Sequence, residues 1–518
     1  MKLLLILSYV VLFLLDFQIG HSQDKRDTAV LRKKIELYPD SLPFHKAYLD
    51  EYYNQTYSKA DSLQKLKRSE LILPLLPQYE YWIKKFPNSY IIPFAIGDYL
   101  CDRELPQAKA YLQKTVDINP KYAPAWSDLW IDAERWGDFK TGHEYIGKAA
   151  ALEPRDPNYA FYYVDGFRSI DSAEWMKKTY ELVTRFPKSE RGAQGLYWLG
   201  IRSKNTNEKL KAFECLRNLY PPAKYNWSES GMGIYFDFLI SIDSLNKALL
   251  LTKFMNTSNA LSNENKNIWV ANEKTIKRII AVKNLLKEGK ADSANVVANE
   301  IPWIGNENIL LLQAETLTAK GDLNVAYDHL IRDFAEIPKE EIEHRLYQYG
   351  RKLGKSNDAI NKDIWESRTN LYGDSIVPFT MLQYLKNDSL SLAQLKGKVV
   401  LVTFWFPGCG PCRGEFPHFE SVLKIFNRDS VAYVGINIAP EQDAYVVPFM
   451  RQSGYSFIPL HYSMNWPHRE FKIRGAPANF LIDKEGRIVY RNFMITSPSE
   501  EKSLEMMIKS LLDKNNPG

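Results

Sequence analysis

The most pointed chemistry in this 518-residue chain lies in four residues, Cys409-Gly410-Pro411-Cys412. Two thiols separated by two residues can close a small disulfide and reopen it, provided that the first sulfur is held as a thiolate. The flanking sequence supplies that condition. Val399 to Phe406 is an apolar, β-branched and aromatic run suited to a buried strand, and Pro407-Gly408 ends it. Phe416, Phe419, Leu423 and Phe426 then recur at helical spacing. The cysteines therefore open a helix, where unpaired amide N–H groups and the positive end of the helix dipole stabilise a thiolate. Such cysteines fall from a pKa of ~8.5 into a range of about 3.5–7.5. On this reading Cys409 is the exposed nucleophile and Cys412, one turn deeper, is the resolving thiol. Pro411 suits an early helical position, where its missing N–H has no intrahelical partner to lose. A structural disulfide and half of a zinc site use the same spacing. A zinc site would want a second pair of ligands, and His418, His461 and His468 nearby have no paired spacing. Redox work is the leading expectation, with the Cys409–Cys412 disulfide itself as the redox group, no other cofactor and no metal.

The elements expected around this motif alternate. Strand-like pieces at Ile376–Leu382 and Leu390–Leu392 precede the Val399–Phe406 strand and the dithiol helix. A strand at Val431–Ile438, a helix from about Glu441 to Gln452, a short strand at Phe457–Leu460 and a helix near Pro467–Phe471 follow. Arg474-Gly475-Ala476-Pro477 leads into a strand at Ala478–Ile482, the Asp483–Gly486 turn into a strand at Arg487–Phe493, and Ser499–Leu512 closes as a helix. This is a thioredoxin-like α/β layout. Leu395-Lys396-Gly397-Lys398 before the strand, Arg413-x-Glu415-Phe416-Pro417 after the dithiol, and Gly475-Ala476-Pro477-x-x-Phe480-Leu481-Ile482-Asp483 with Gly486 resemble the TlpA-like, ResA-type thiol–disulfide oxidoreductases of the bacterial envelope. The resemblance covers roughly residues 374–514. It implies that Pro477 is a cis proline beside the dithiol, presenting backbone groups to a client. It also implies that Glu415, one turn beyond Cys412, handles protons; such a carboxylate could take the Cys412 proton during resolution. Three positions depart from the family pattern. Thr403 stands where thioredoxin has a buried Asp, Gly408 where a Trp is usual before the first cysteine, and Ala478 where a Thr follows the cis proline. Trp405 is expected as packing beneath the site.

The first two-thirds read as helix after helix. Pro87, Pro120, Pro154, Pro187 and Pro221 form a ladder with steps of 33, 34, 33 and 34 residues. A period of about 34 with helix-pair content resembles the tetratricopeptide repeat. Lys121–Pro154 carries the pattern best, with Trp126, Leu129, Trp130 and Ala133 on one helix, Gly137-Asp138 at the turn, and Gly142, Ile146 and Ala149 on the next. Trp130 replaces the family's usual glycine, so the contact between the two helices is expected to be looser or shifted. Leu310–Ile331 repeats the pattern around Gly321-Asp322, whereas Pro222–Asn272 has no clear period. Each such pair exposes an apolar face that only its neighbour can bury, and the resulting concave surface suits a peptide or protein. Most of the aromatics are expected to be repeat core. The expected architecture is thus multidomain: a signal peptide at 1–22, an all-α helical-repeat (TPR-like) region at 23–372 and a thioredoxin-like domain at 373–518.

Lys2 followed by the apolar run Leu3–Leu15, then Gly20 and Ser22, fits an export signal cleaved before Gln23. The run is too short to span a bilayer, so membrane attachment is expected only if it stays uncleaved. Four cysteines in an exported chain of this length do not make a disulfide scaffold, and they fit a periplasmic or cell-envelope protein. Cys101 and Cys215 fall in repeats too far apart to bridge and are expected as small buried residues. A net charge of +5 with no basic block gives no indication of nucleic acid. The expected activity is thiol–disulfide exchange on a client protein's disulfide, fed by an upstream thiol reductant. The Gly-Pro pair between the cysteines matches thioredoxin, at about −270 mV, rather than the oxidant DsbA, at about −120 mV, and so favours reduction. The alternative from another class is a binding adaptor or holdase in which the repeats act and the redox part is secondary. A thiol peroxidase would use a Pro-x-x-x-Thr-x-x-Cys setting that this chain lacks.

Overall fold

The computed structural model describes residues 27–60, 71–257, 263–302, 306–372, 378–462, 471 and 473–513. The expected signal peptide and the expected helix near Pro467–Phe471, apart from its last residue, lie outside them. The chain divides into two compact units, Met1–Asp128 and Leu129–Gly518. In the first, helices Leu76–Lys85, Ile91–Asp102 and Ala108–Ile118 pack in sequence order. In the second, helices continue to Tyr372 and a sheet-containing part follows.

The proline ladder marks helix ends. Lys85, Ile118, Leu152, Arg185 and Leu219 each close a helix two residues before one of the five prolines, which cannot continue it. Side chains of Asp156, Asp171, Ser189 and Asn205 cap the helices that follow, accepting from otherwise orphaned N–H groups. Trp130 is accommodated by Gly142 on the next helix, where an added Cβ would lie 3.4 Å from the indole. The aperiodic stretch is helical as well: Asn226–Ser241, Leu245–Asn256 and the long Asn263–Lys287. Its signal was hidden because the turn at Asp243 (φ 55°) uses no proline and a 25-residue helix breaks the repeat length. Phe213, Tyr235, Phe236 and Trp269 are all buried in one core that runs through these helices. The described helical region fits a repeat solenoid.

In the C-terminal part the strands are β1 Thr380–Leu382, β2 Ser389–Ser391, β3 Val399–Trp405, β4 Val431–Asn437, β5 Ile458–His461, β6 Ala478–Ile482 and β7 Ile488–Phe493. Strands β1 and β2 pair with each other, and the others form a sheet in the order β5-β4-β3-β6-β7. Strand β3 runs parallel to β4 and antiparallel to β6. Every residue of β3 is buried, as an apolar run without alternation requires of a central strand. Its side chains divide by face. Val399, Leu401 and Trp405 join the core under helices Gly410–Leu423, Asp443–Ser453 and Pro498–Leu512. Val400, Val402 and Phe404 join the other, with Phe379, Met381 and Phe471. Phe139 and Trp365 of the helical array pack on the first of these cores. Arg368, which is 2% exposed, donates to Ala335 O at 3.2 Å and sits over the Tyr490 ring of β7 at 4.7 Å. Among the described residues no helix is long and apolar enough to cross a membrane.

Candidate active site

Strand β3 delivers the chain to its C-terminal edge, and Pro407-Gly408 turn it into the helix Gly410–Leu423. Cys409 is the N-cap, and its Sγ accepts from the Cys412 N–H at 3.2 Å. The two sulfurs are joined as a disulfide. A bridge that spans three positions removes little chain entropy, so it contributes little as a staple. Its placement on a helix N-terminus instead favours the thiolate once it is opened.

One expectation is corrected. Cys409 is not exposed: it is 3% accessible and Cys412 is fully buried, while Gly410 and Pro411 form the exposed part of the motif. Both sulfurs lie in the apolar cluster of Trp405, Phe416 and Phe449, on which Phe139, Tyr455 and Ala476 also pack. The local helix geometry alone did not account for these neighbours from distant sequence.

Glu415 is fully buried, one turn beyond Cys412. Its Oε1 accepts from Asn479 Nδ2 at 3.0 Å and from the Ile495 N–H at 2.8 Å, and its Oε2 accepts from Asn479 Nδ2 at 3.1 Å. Burial pushes the carboxyl up to about 7, with the Ile495 and Asn479 hydrogen bonds holding it back. A carboxyl poised there can take or give a proton near neutral pH. The Ala476–Pro477 peptide is cis. Pro477 enters β6 where Ala478 pairs with Phe404, at the dithiol end of β3. Thr403 pairs in register with Asn479, so both belong to the face of the sheet beneath the dithiol helix.

Three residues of this site were missed in the sequence. Asn479 was legible as a polar residue in an otherwise apolar five-residue strand. Gln442 is buried and its Oε1 accepts from the Gly408 N–H at 2.7 Å, fixing the turn before Cys409. Glu134, far away in sequence, pairs with Arg413 at 3.3 Å. Neither of the last two carries a local signal. Cys101 and Cys215 take no part in a disulfide; Cys101 is buried and Cys215 half-buried. Among the described residues no group of three His, Cys, Asp or Glu side chains is arranged to hold a metal ion.

Residues 372–491 match the AhpC/TSA family. The thiol-disulfide oxidoreductase ResA of Bacillus subtilis (strain 168) is 28% identical over 131 residues, which is 25% of this chain and 73% of that protein. ResA of Geobacillus kaustophilus (strain HTA426) is 24% identical over 153 residues, 30% of this chain and 86% of that protein. Among solved structures, a putative thiol:disulfide interchange protein DsbE from Chlorobium tepidum overlaps 27% of this chain and 97% of its own, at 27% identity and a TM-score of 0.24. The C-terminal part is a thioredoxin-like domain of the thiol–disulfide oxidoreductase class. The two curated relatives named here are ResA proteins, and the family match covers residues 372–491.

Proposed function

We propose that the protein is an exported disulfide reductase of the bacterial cell envelope whose helical repeats bind the client. The observation that carries the reading is the Cys409–Cys412 disulfide at a helix N-terminus with Glu415 buried one turn away. In the reduced protein the Cys409 thiolate attacks a client disulfide and releases one client thiolate. Cys412 gives its proton to Glu415 and attacks Cys409 Sγ, releasing the second. The client gains two electrons and the dithiol returns to the disulfide. Recharging needs an upstream thiol reductant. The Lys2 to Leu15 pattern supports export, and the concave surface expected of stacked helix pairs supports client binding.

Gly410-Pro411 supports the reductive direction. The gap between thioredoxin and DsbA, about 150 mV, is worth about 7 kcal/mol and is large enough to decide the role. Equilibration of the full chain in defined thiol buffers tests it. A midpoint near −270 mV is expected, and one above about −150 mV would reject the reductase.

A further inference from the structure

The helix Ala123–Arg135 and the turn after it belong to the repeats in sequence, yet Glu134 in this stretch contacts the redox site. Its Oε2 lies 3.3 Å from Arg413 Nη2, the two side chains being 24% and 19% exposed. Arg413 directly follows Cys412. Its backbone N–H donates to Cys409 O at 3.1 Å, and its Nη1 donates to Pro407 O at 3.1 Å. One residue thus ties down two carbonyls of the segment that carries the nucleophile, and Glu134 is its counter-charge. The surroundings reinforce this geometry. The Tyr445 hydroxyl donates to Asp132 Oδ1 at 3.2 Å, Trp136 meets the Tyr445 ring at 5.1 Å, and Phe139 meets Phe449 at 6.1 Å. Tyr445 and Phe449 lie on the helix just after Gln442, the residue that holds Gly408.

We infer that Glu134, supplied by the helical array, is a positioning residue of the dithiol: it holds Arg413 against Pro407–Cys409 and balances the positive charge that Arg413 places beside Cys409. The array is then part of the redox site as well as a binding surface. The inference rests on the dithiol chemistry proposed above. Burial pushes the Glu134 carboxyl up and the Arg413 guanidinium down, and each partner opposes the other's shift. Arg135 and Tyr455 also face Arg413, and Asp165 and Arg168 face Glu134. Glu415 lies one turn beyond Cys412. None of these changes in the test variants, so the sign of the effect belongs to the pair.

The test uses the full chain with Cys412→Ala and follows alkylation of Cys409 against pH, with the modified peptide quantified by mass spectrometry. Loss of the Glu134 charge leaves Arg413 unbalanced and stabilises the thiolate. Glu134→Gln is therefore expected to lower the Cys409 midpoint by about half a pH unit to one unit, and Arg413→Gln to raise it. The double variant is expected to return close to the parent, and Glu134→Asp to restore most of the Glu134→Gln shift. An unmoved midpoint in Glu134→Gln, or shifts of the same sign in both single variants, would overturn the inference. Failure to reduce a protein disulfide with these shifts intact would reject the proposed function and leave the pair's role standing.

Discussion

Asn479 Nδ2 donates to both carboxylate oxygens of Glu415, at 3.0 and 3.1 Å, across 64 residues of sequence. The same amide also donates to Phe493 O at 2.9 Å, which fixes its orientation between β6 and β7. A buried carboxyl that would otherwise stay protonated is thereby given donors for its ionised form. Replacement of Asn479 by Leu removes them. The Glu415 carboxyl is then expected to titrate about one unit above its present value of about 7, since a hydrogen bond to a charged group is worth about 1.5–3 kcal/mol. The pH dependence of mixed-disulfide resolution by Cys412 measures this, with the midpoint moving to higher pH. An unshifted midpoint would mean that Asn479 does not control the carboxyl.

Glu415 also makes stability depend on pH. Its folded-state pKa is raised, so between the usual carboxylate value and about 7 the folded chain binds more protons than the unfolded chain. The stability associated with the protonated form is present at acid pH and is lost as pH rises through 7. Denaturant unfolding of the oxidised chain is expected to lose up to about 3 kcal/mol from this group between pH 5 and pH 8. Glu415→Gln abolishes that part of the slope, and the difference in slope between the two proteins is the quantity to compare. Equal slopes would contradict it.

Gly137 serves two purposes at the turn after Trp136. It adopts φ 75°, and a Cβ there would meet Phe449 O at 2.8 Å. Gly289 adopts φ 72° with nothing within 4 Å. Alanine at 289 is expected to cost about 1 kcal/mol, the left-handed penalty alone. Alanine at 137 adds the clash and is expected to cost about 1–3 kcal/mol more. Thermal unfolding of the two variants separates backbone strain from the contact with the Asp443–Ser453 helix. Equal losses would remove the contact from the account.

Strand β3 and the dithiol helix were legible because their signals are local: a continuous apolar run, a Pro-Gly stop, and cysteines before a helical period. The helix ends in the array were legible for the same reason, since Pro87, Pro120, Pro154, Pro187 and Pro221 each interrupt a helix within a few residues. Glu415 was found through its place in the motif, but its partners were not. Asn479 reaches it through strand pairing, Gln442 reaches Gly408 from the turn after β4, and Glu134 reaches Arg413 from a different part of the chain. Such contacts are set by tertiary packing, and apart from the polar Asn479 in an apolar strand they leave no local pattern. The accessibility of Cys409 failed for this reason, because an N-cap position fixes the sulfur's electrostatics and leaves open what packs around it.

The central claim is that Cys409 and Cys412 exchange disulfides with a protein client. The direct measurement is single-turnover reduction of insulin disulfides by the pre-reduced full chain, with peptide mass spectrometry reporting the state of each cysteine. The account predicts one insulin disulfide opened per Cys409–Cys412 disulfide formed, with Cys101 and Cys215 unchanged. It predicts no net reduction by Cys409→Ser and a stalled Cys409–insulin adduct in Cys412→Ala. Insulin reduction that persists in Cys409→Ser, or a wild-type protein that reduces none while its dithiol is open, would contradict it.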